Sequence, residues 1–152
     1  MLTPDDFRSI LNSKWQNPNG INESLPFIYY IGIKDIEGGR EYRYVGKARD
    51  RERVEEYSKN MAKIARWQPR GKKQRYRAVH FALFTAISQG WEIEMRPLKS
   101  LPGKNDESEL QEKHNCNLNG MKTWPVEELS TLTIKDLGVK PIKLPRHDDL
   151  KN

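Results

Sequence analysis

The chain has 152 residues, and 27 Lys and Arg residues against 21 Asp and Glu residues give a formal net charge of +6. This length suits a single domain over residues 1–152, and a mean hydropathy of −0.89 without a long apolar run excludes a transmembrane span. The basic excess is local, because residues 57–91 hold eight basic residues and no acidic residue, which leaves 19 basic and 21 acidic residues elsewhere. A local excess of positive charge indicates a polyanionic partner.

The amino-terminal residues MLTPDDFRS lack the basic and apolar regions of a secretory signal, so we expect a cytoplasmic protein. Cys116 is the only cysteine and cannot form an internal disulfide, which agrees with a reducing compartment. Three scattered histidines and one cysteine are too few ligands for a zinc finger.

The first third of the chain predicts a helix followed by a hairpin. Thr3 is a suitable N-cap for a helix over residues 4–15. The segments FIYYIGIKD (27–35) and YRYVGK (42–47) flank Gly38 and Gly39 and predict two paired strands. With a loop of two or four residues, paired positions sum to about 77. Tyr44 then faces Ile33 and shares a sheet face with Tyr29, whereas a three-residue loop would put Tyr30 on that face instead.

The rest of the chain alternates helices with one strand. Asp50 is a candidate cap for a second helix, whose core face is Val54, Tyr57, Met61, Ile64 and Ala65. After a break at 68–73, the pattern predicts a largely buried helix over 74–89, a strand over 91–96 and a helix over 106–115. Weak helical signals follow at 126–129 and 134–137. This order predicts an α+β fold with a small three-stranded, mainly antiparallel sheet flanked by helices.

Several short motifs follow one another in a familiar order. They are Phe27-Ile28-Tyr29, then the YVGKA segment at 44–48, then Arg53 with Tyr57 four residues later, then Glu107 with Asn119 twelve residues later. In this order they resemble the GIY-YIG nuclease superfamily, and YVGKARDRERVEEY and ESELQEKHNCNLNG are similar to the nuclease module of bacterial excision-repair incision proteins. The resemblance covers a nuclease core of about residues 26–120, preceded by the helix over 4–15 and followed by an extension over 121–152.

The sequence departs from the family pattern at two places. Phe27 stands where the family usually has glycine, and the step from Tyr44 to Arg53 is one residue shorter than in the repair-type module. The shorter step indicates a deletion near Asp50 and makes Arg51 a competitor of Arg53, although only Arg53 has a tyrosine four residues later.

The resemblance implies a one-metal phosphodiesterase. Glu107 would bind Mg²⁺, or Mn²⁺ in its place, together with waters and a substrate phosphate oxygen. Tyr29 and Tyr44 would help to deprotonate the attacking water, with Tyr29 as the preferred general base. Lys47 would help to lower the pKa of that tyrosine, which is about 10 in water.

The remaining family positions would bind phosphate or hold the loop. The resemblance implies that Arg53 neutralises the developing phosphoryl charge, that Tyr57 holds the phosphate or leaving group, and that Asn119 fixes its loop. The residues alone also allow simpler roles: a surface arginine, a solvated acid in the first turn of a helix for Glu107, and an Asn-Gly turn for Asn119. His80, among apolar residues, is expected to be a hydrogen-bonded core residue.

The basic segment RWQPRGKKQRYR (66–77) is interpreted as a substrate-binding segment. Its cations can neutralise phosphates without reading sequence, and the interleaved Trp67 and Tyr76 can stack on exposed bases or sugars. The predicted nucleic-acid-binding residues are Arg66, Arg70, Lys72, Lys73, Arg75 and Arg77.

These features predict a Mg²⁺-dependent DNA endonuclease of the restriction type, which would act as a homodimer or larger assembly if it cuts both strands. A free-standing phage or mobile-element nuclease is a second role within the same enzyme class. A non-catalytic nucleic-acid-binding domain with the same fold is the alternative outside that class, and a small basic adaptor protein is a third reading.

Overall fold

The computed structural model describes residues 2–70, 75–101, 106–120, 123–125 and 139–144. The elements in chain order are α1 (Pro4–Lys14), β1 (Phe27–Asp35), β2 (Arg40–Ala48), α2 (Arg51–Ala65), β3 (Arg75–Arg77), α3 (Ala78–Gln89), β4 (Glu92–Ser100), α4 (Asp106–Lys113), β5 (Thr123–Pro125) and β6 (Ile142–Lys143). The α+β class is therefore confirmed. Within these ranges no helix is both long and apolar enough to cross a bilayer.

The main sheet has four antiparallel strands in the order β4-β1-β2-β6, and β3 and β5 form a separate antiparallel pair. The predicted three-stranded sheet is thus one strand short. The missing strand is β6, whose two residues are too few to produce a visible alternation of polar and apolar side chains. The weak helical signals at 126–129 and 134–137 lie outside the described residues.

The hairpin has the predicted parity but a different register. Tyr44 faces Ile31 rather than Ile33, because the loop is Ile36–Gly39. The Asp35 side chain fixes this loop: it accepts a hydrogen bond from the Gly38 amide at 2.9 Å and pairs with the Arg40 guanidinium at 2.7 Å. A four-residue loop preserves which residues share a face, so the prediction that Tyr29 and Tyr44 lie on one face is confirmed.

The two faces of the sheet have unequal cores. One face of β1, with Phe27, Tyr29, Ile31 and Ile33, belongs to the large core beneath α1, α2 and α3. The other face belongs to a small cluster formed by Ile28, Tyr30 and Val45, against which Leu98, Leu101, Leu110 and Cys116 pack. Because β1 is buried on both faces, it reads in the sequence as a nearly continuous apolar run.

The helix starts follow local capping in two cases and tertiary pairing in the third. Thr3 and Asp6 form a capping box at α1, and the Asp50 side chain caps α2 by accepting from the Glu52 amide, both as predicted. The third helix begins at Ala78 rather than Gln74. Residues 75–77 instead form β3, which pairs with β5 far along the chain, and no local signal indicates that pairing.

The loop after α4 covers the outer edge of β2. The Asn117 side chain accepts a hydrogen bond from the Arg43 amide at 2.7 Å and donates to the Glu41 carbonyl at 3.1 Å and the Lys140 carbonyl at 3.0 Å. The Asn117 backbone amide also donates to the Arg43 carbonyl. One side chain therefore joins the loop after α4, the edge of β2 and the segment that leads into β6.

Replacing Asn117 with alanine should lower the free energy of unfolding by about 2 kcal/mol, because it leaves half-buried backbone groups of β2 without partners. Urea unfolding followed by circular dichroism measures this loss. Asn115→Gly is the matched control in the same loop: Asn115 has a φ of 54°, which glycine adopts freely, so its stability should stay equal or rise. Equal stability of Asn117→Ala and the wild type would contradict the role of this side chain.

Candidate active site

A cleft of about 380 Å³ lies beside the outer edge of β2. Its walls come from β2, the start of α2, the end of β3, α4, the loop that follows α4 and the start of β5. The lining residues among those described are Tyr44, Val45, Lys47, Arg53, Arg77, Glu107, Gln111, Leu118, Asn119, Gly120 and Thr123. Five of the seven predicted catalytic residues thus border one open space, although four separate segments supply them.

Tyr44 is the tyrosine that borders the cleft. Its hydroxyl oxygen accepts a hydrogen bond from Nη1 of Arg77 at 3.4 Å. Tyr29 packs behind it, with ring centroids 6.1 Å apart. Gly46 permits this arrangement, because a Cβ at that position would lie 2.8 Å from the Tyr29 hydroxyl and 2.8 Å from Cε1 of Tyr44. The glycine of the second motif is therefore required for the rings to lie across the strand.

Tyr29 and Tyr57 form a buried pair rather than part of the cleft wall. Their hydroxyl oxygens are 2.6 Å apart, and both rings are inaccessible to solvent or nearly so. Burial, followed by the neighbouring tyrosines, raises the pKa of both hydroxyls far above the ordinary value. A phenolate base needs the opposite shift, which disfavours the expected role of Tyr29 as general base, whereas Tyr44, although only 7% exposed, borders the cleft.

Arg53 borders the cleft, whereas Arg51 is held elsewhere. The Arg51 guanidinium pairs with Glu23 at 2.9 Å, donates to the Asn12 side chain at 2.6 Å and lies 4.4 Å above the Trp15 ring centroid. These contacts join the start of α2 to α1 and the segment after it, and they leave the Arg51 guanidinium already paired within the protein. Of the two competing arginines, the one four residues before Tyr57 is therefore the one available to a ligand in the cleft.

Glu107 supplies the acidic side chain of the cleft, and hydrogen bonds to β2 fix the helix and loop that carry it. Glu107 lies half-buried in the first turn of α4 and is the only acidic residue among the described lining residues. The Asn119 amide accepts from the Val45 N–H at 3.1 Å and donates to the Val45 carbonyl at 2.8 Å, and Gln111 donates to the same carbonyl at 3.2 Å. Asn119 therefore fixes its loop through its side-chain amide, the role that the family resemblance implies.

A hydrated Mg²⁺ fits the donor set of this cleft. Within the described residues there is no group of three His, Cys, Asp or Glu side chains that could enclose a metal ion. Mg²⁺ is commonly held by one or two carboxylates, waters and substrate phosphate oxygens. Glu107 beside an open cleft of this size offers one carboxylate and room for the other ligands, and exposed Lys47 borders the cleft from the sheet face that Val45 shares.

A small pocket of about 10 Å³ adjoins the cleft and shares Arg53 and Arg77 with it. Its other lining residues are Glu56, Tyr57, Asn60, Arg70 and His80. Three guanidinium groups converge here, and Glu56 pairs with Arg53 at 3.4 Å on the exposed side. Burial, together with Arg77 and Arg53, lowers the pKa of Arg70. The pocket has room for about one water, so an anion would contact these guanidinium groups from the adjoining cleft rather than fill the pocket.

The predicted nucleic-acid-binding residues divide into several groups. Arg70 and Arg77 line the pocket, and Arg66 is exposed at the end of α2. Arg75 is exposed but donates to Thr123 Oγ1 at 2.8 Å and to the Thr123 carbonyl at 2.6 Å, so it also holds β5. Lys72 and Lys73 lie outside the described residues.

The expectation that Tyr76 stacks on a base is wrong. Tyr76 is fully buried and donates its hydroxyl proton to the Gln68 carbonyl at 2.7 Å. Burial raises its pKa to about 12. Of the two interleaved aromatic residues, only Trp67 is exposed.

Comparison with protein families, curated proteins and solved structures gave no match. The GIY-YIG resemblance therefore depends on the motifs quoted above. The cleft also contains contacts that the motifs do not indicate: Arg77 on Tyr44, Gln111 on Val45, and Thr123 at the cleft wall. The basic segment did mark Arg77 as a binding residue, but Gln111 and Thr123 have no distinguishing signal in the sequence.

His80 is a neutral, hydrogen-bonded core residue, as expected from its apolar neighbours. Its Nδ1 accepts from the Arg77 amide at 3.0 Å, and its Nε2 lies 3.3 Å from the side-chain nitrogen of Asn60. Burial, then Arg70, Arg77 and Arg53, lowers the pKa of His80 to about 3. The ring therefore supports Tyr57, at a centroid distance of 5.5 Å, without adding positive charge.

The low pKa of His80 makes stability depend on pH. The unfolded chain takes up a proton near pH 6.5 and the folded chain only near pH 3, so stability is full above pH 6.5 and decreases as the pH falls toward 3. Between pH 7 and pH 5 this residue should remove about 2 kcal/mol from the free energy of unfolding.

His80→Gln tests this dependence, because glutamine at the third position of a helix can still accept from the cap amide but does not titrate. Urea unfolding at pH 7 and pH 5 should show a smaller loss for the variant than for the wild type. Equal losses in the two proteins would mean that His80 does not cause the pH dependence.

Proposed function

We propose that the protein is a Mg²⁺-dependent endonuclease that hydrolyses DNA phosphodiester bonds. The observation that supports this most is the presence of Glu107, Tyr44, Arg53 and Asn119 around one open cleft. In the GIY-YIG superfamily, which the sequence resembles, the residues at these motif positions have chemical roles. In this chain the corresponding side chains are supplied by β2, α2, α4 and the loop after α4. A purely structural coincidence of the motifs would not require their side chains to border a common space.

Each residue has a task that its position allows. When bound at Glu107, Mg²⁺ would polarise the phosphate and stabilise its negative charge. In its phenolate form Tyr44 would orient the attacking water and accept its proton to become the neutral phenol, since it borders the cleft and accepts a hydrogen bond from Arg77. The water oxygen forms a bond to phosphorus while the bond to the leaving sugar oxygen breaks, and that oxygen takes a proton from solvent.

Charge neutralisation falls to the arginines between the cleft and the small pocket. Arg53 and Arg77 border both spaces, so a phosphate in the cleft would lie within reach of two guanidinium groups, whose planar donor forks suit phosphate oxygens. Tyr57 lines the small pocket and is hydrogen-bonded to Tyr29, which in turn packs against the ring of Tyr44. We therefore assign Tyr29 and Tyr57 to support of the site.

Glu107→Gln should reduce cleavage of supercoiled plasmid by about 1,000-fold or more, because it removes the only acidic lining residue of the cleft among those described. Gel analysis of nicked and linear plasmid over a range of Mg²⁺ and Mn²⁺ concentrations measures this. Glu109→Gln is the matched control, since Glu109 is exposed on the same helix and borders neither pocket.

Two outcomes would oppose the proposal. Wild-type protein that shifts DNA in gels but cuts none over a wide range of metal and pH would favour a non-catalytic nucleic-acid-binding domain. Activity that survives in Glu107→Gln but not in Glu109→Gln would place the metal elsewhere.

Tyr44→Phe should mainly lower the cleavage rate, whereas Tyr29→Phe should mainly lower the free energy of unfolding. Tyr44→Phe should lower the cleavage rate by about 100-fold or more and change stability less than Tyr29→Phe does, because it removes the hydroxyl that contacts Arg77 at 3.4 Å beside the cleft. Tyr29→Phe should lower the free energy of unfolding by about 1 to 3 kcal/mol, because the Tyr57 hydroxyl loses its buried partner. Single-turnover cleavage and urea unfolding on both variants measure this, and the reverse pattern would restore Tyr29 as the general base.

A further inference from the structure

Trp67 occupies an unusual position at the end of α2. Its φ is 60°, in the left-handed region that L residues rarely adopt. The Trp67 amide donates to the Ile64 carbonyl at 3.1 Å and the Gln68 amide to the Lys63 carbonyl at 2.8 Å. This pair of bonds is the Schellman arrangement that ends many helices, and its left-handed position is usually taken by glycine or asparagine.

The strain at Trp67 is not compensated by burial of its ring. The side chain is 56% exposed, although tryptophan is the largest apolar residue. The turn itself is held firmly, since the Tyr76 hydroxyl donates to the Gln68 carbonyl at 2.7 Å. Backbone strain that a rigid turn maintains is commonly found at functional positions.

The surroundings of Trp67 are cationic. It lies in the segment 57–91, which has eight basic residues and no acidic residue, and exposed Arg66 precedes it directly. Arg70 follows three residues later and lines the small pocket beside Tyr57. Three residues of chain span about 10 Å at most, so a nucleic acid whose phosphate contacts Arg70 at the mouth of this pocket lies within reach of the indole.

We propose that Trp67 is a nucleic-acid contact that stacks on an exposed base next to the candidate cleavage site. An exposed indole offers a flat apolar surface that accepts any base, and neighbouring arginines neutralise the phosphates on either side. The inference depends on the proposed function in one respect, that nucleic acid is the ligand. It does not depend on cleavage.

Trp67→Gly gives two readouts of opposite sign. Glycine adopts the left-handed conformation without strain, so the urea midpoint of unfolding should rise. Loss of the ring should weaken binding of a single-stranded oligonucleotide by roughly tenfold or more. Fluorescence anisotropy of a labelled oligonucleotide, with Mg²⁺ omitted so that nothing is cut, measures the affinity. If Trp67 served only in packing, the Trp67→Gly variant would instead have a lower urea midpoint of unfolding than the wild type.

Two further variants separate the ring from the backbone. Trp67→Asn also tolerates the left-handed position and should bind as weakly as Trp67→Gly, whereas Trp67→Phe retains a ring and should bind nearly as well as the wild type. The slope of log affinity against log salt should stay unchanged in Trp67→Gly and fall by about one in Arg66→Gln, because stacking releases no counterions and a lost phosphate contact does.

The outcomes distinguish this inference from the proposed function. If the protein binds oligonucleotides and Trp67→Gly binds equally well, the stacking role is wrong while the endonuclease proposal stands. If Trp67→Gly lowers the unfolding midpoint, the ring has a packing role and the inference is overturned. If the wild type binds no nucleic acid at all, both fail together.

Discussion

The outer edge of β2 is the constraint on which the candidate site depends. The strand β6 pairs only with Arg40 and Glu41, so among the described residues the following backbone groups of β2 need other partners. Leaving such groups unpaired costs about 1 to 3 kcal/mol each. Asn117 and Asn119 supply the partners, since a side-chain amide both accepts and donates as a neighbouring strand would. Because both belong to the loop after α4, the same bonds hold Glu107 beside the cleft.

The cleft lies where the two faces of the sheet meet around this edge. Tyr44 belongs to the face of the large core, while Val45 and the helix α4 belong to the face of the small cluster. Alternation along a strand normally keeps such residues apart. At a strand edge they border one space, so a hydroxyl and a carboxylate of opposite faces can contact one ligand. The rigid tyrosine pair behind Tyr44 then serves as its support.

Sequence patterns predicted what depends on local chemistry and missed what depends on distant partners. The caps at Thr3 and Asp50 and the shared face of Tyr29 and Tyr44 follow from local spacing. The hairpin register was wrong by two residues because the Asp35 side chain selects the loop, and α3 starts late because β3 pairs with β5.

The candidate site divides in the same way. The motif order indicated Tyr44, Arg53, Glu107 and Asn119, which all border the cleft. It gave no sign that Tyr29 would be sealed beneath Tyr44, nor that Gln111 and Thr123 would form part of the wall. Burial and long-range contacts decide these features, and the motif spacing contains neither.

The arginines of the basic segment have separate roles in the structure. Arg75 holds β5, while Arg70 and Arg77 converge with Arg53. Burial first, and the neighbouring arginines second, lower the pKa values of Arg70 and His80, so the convergence of positive charge opposes folding of the free protein. An anion bound beside these groups would relieve the repulsion and stabilise the folded state in proportion to its affinity, so the charge that is unfavourable in the free protein is the charge on which the proposed binding of nucleic acid depends.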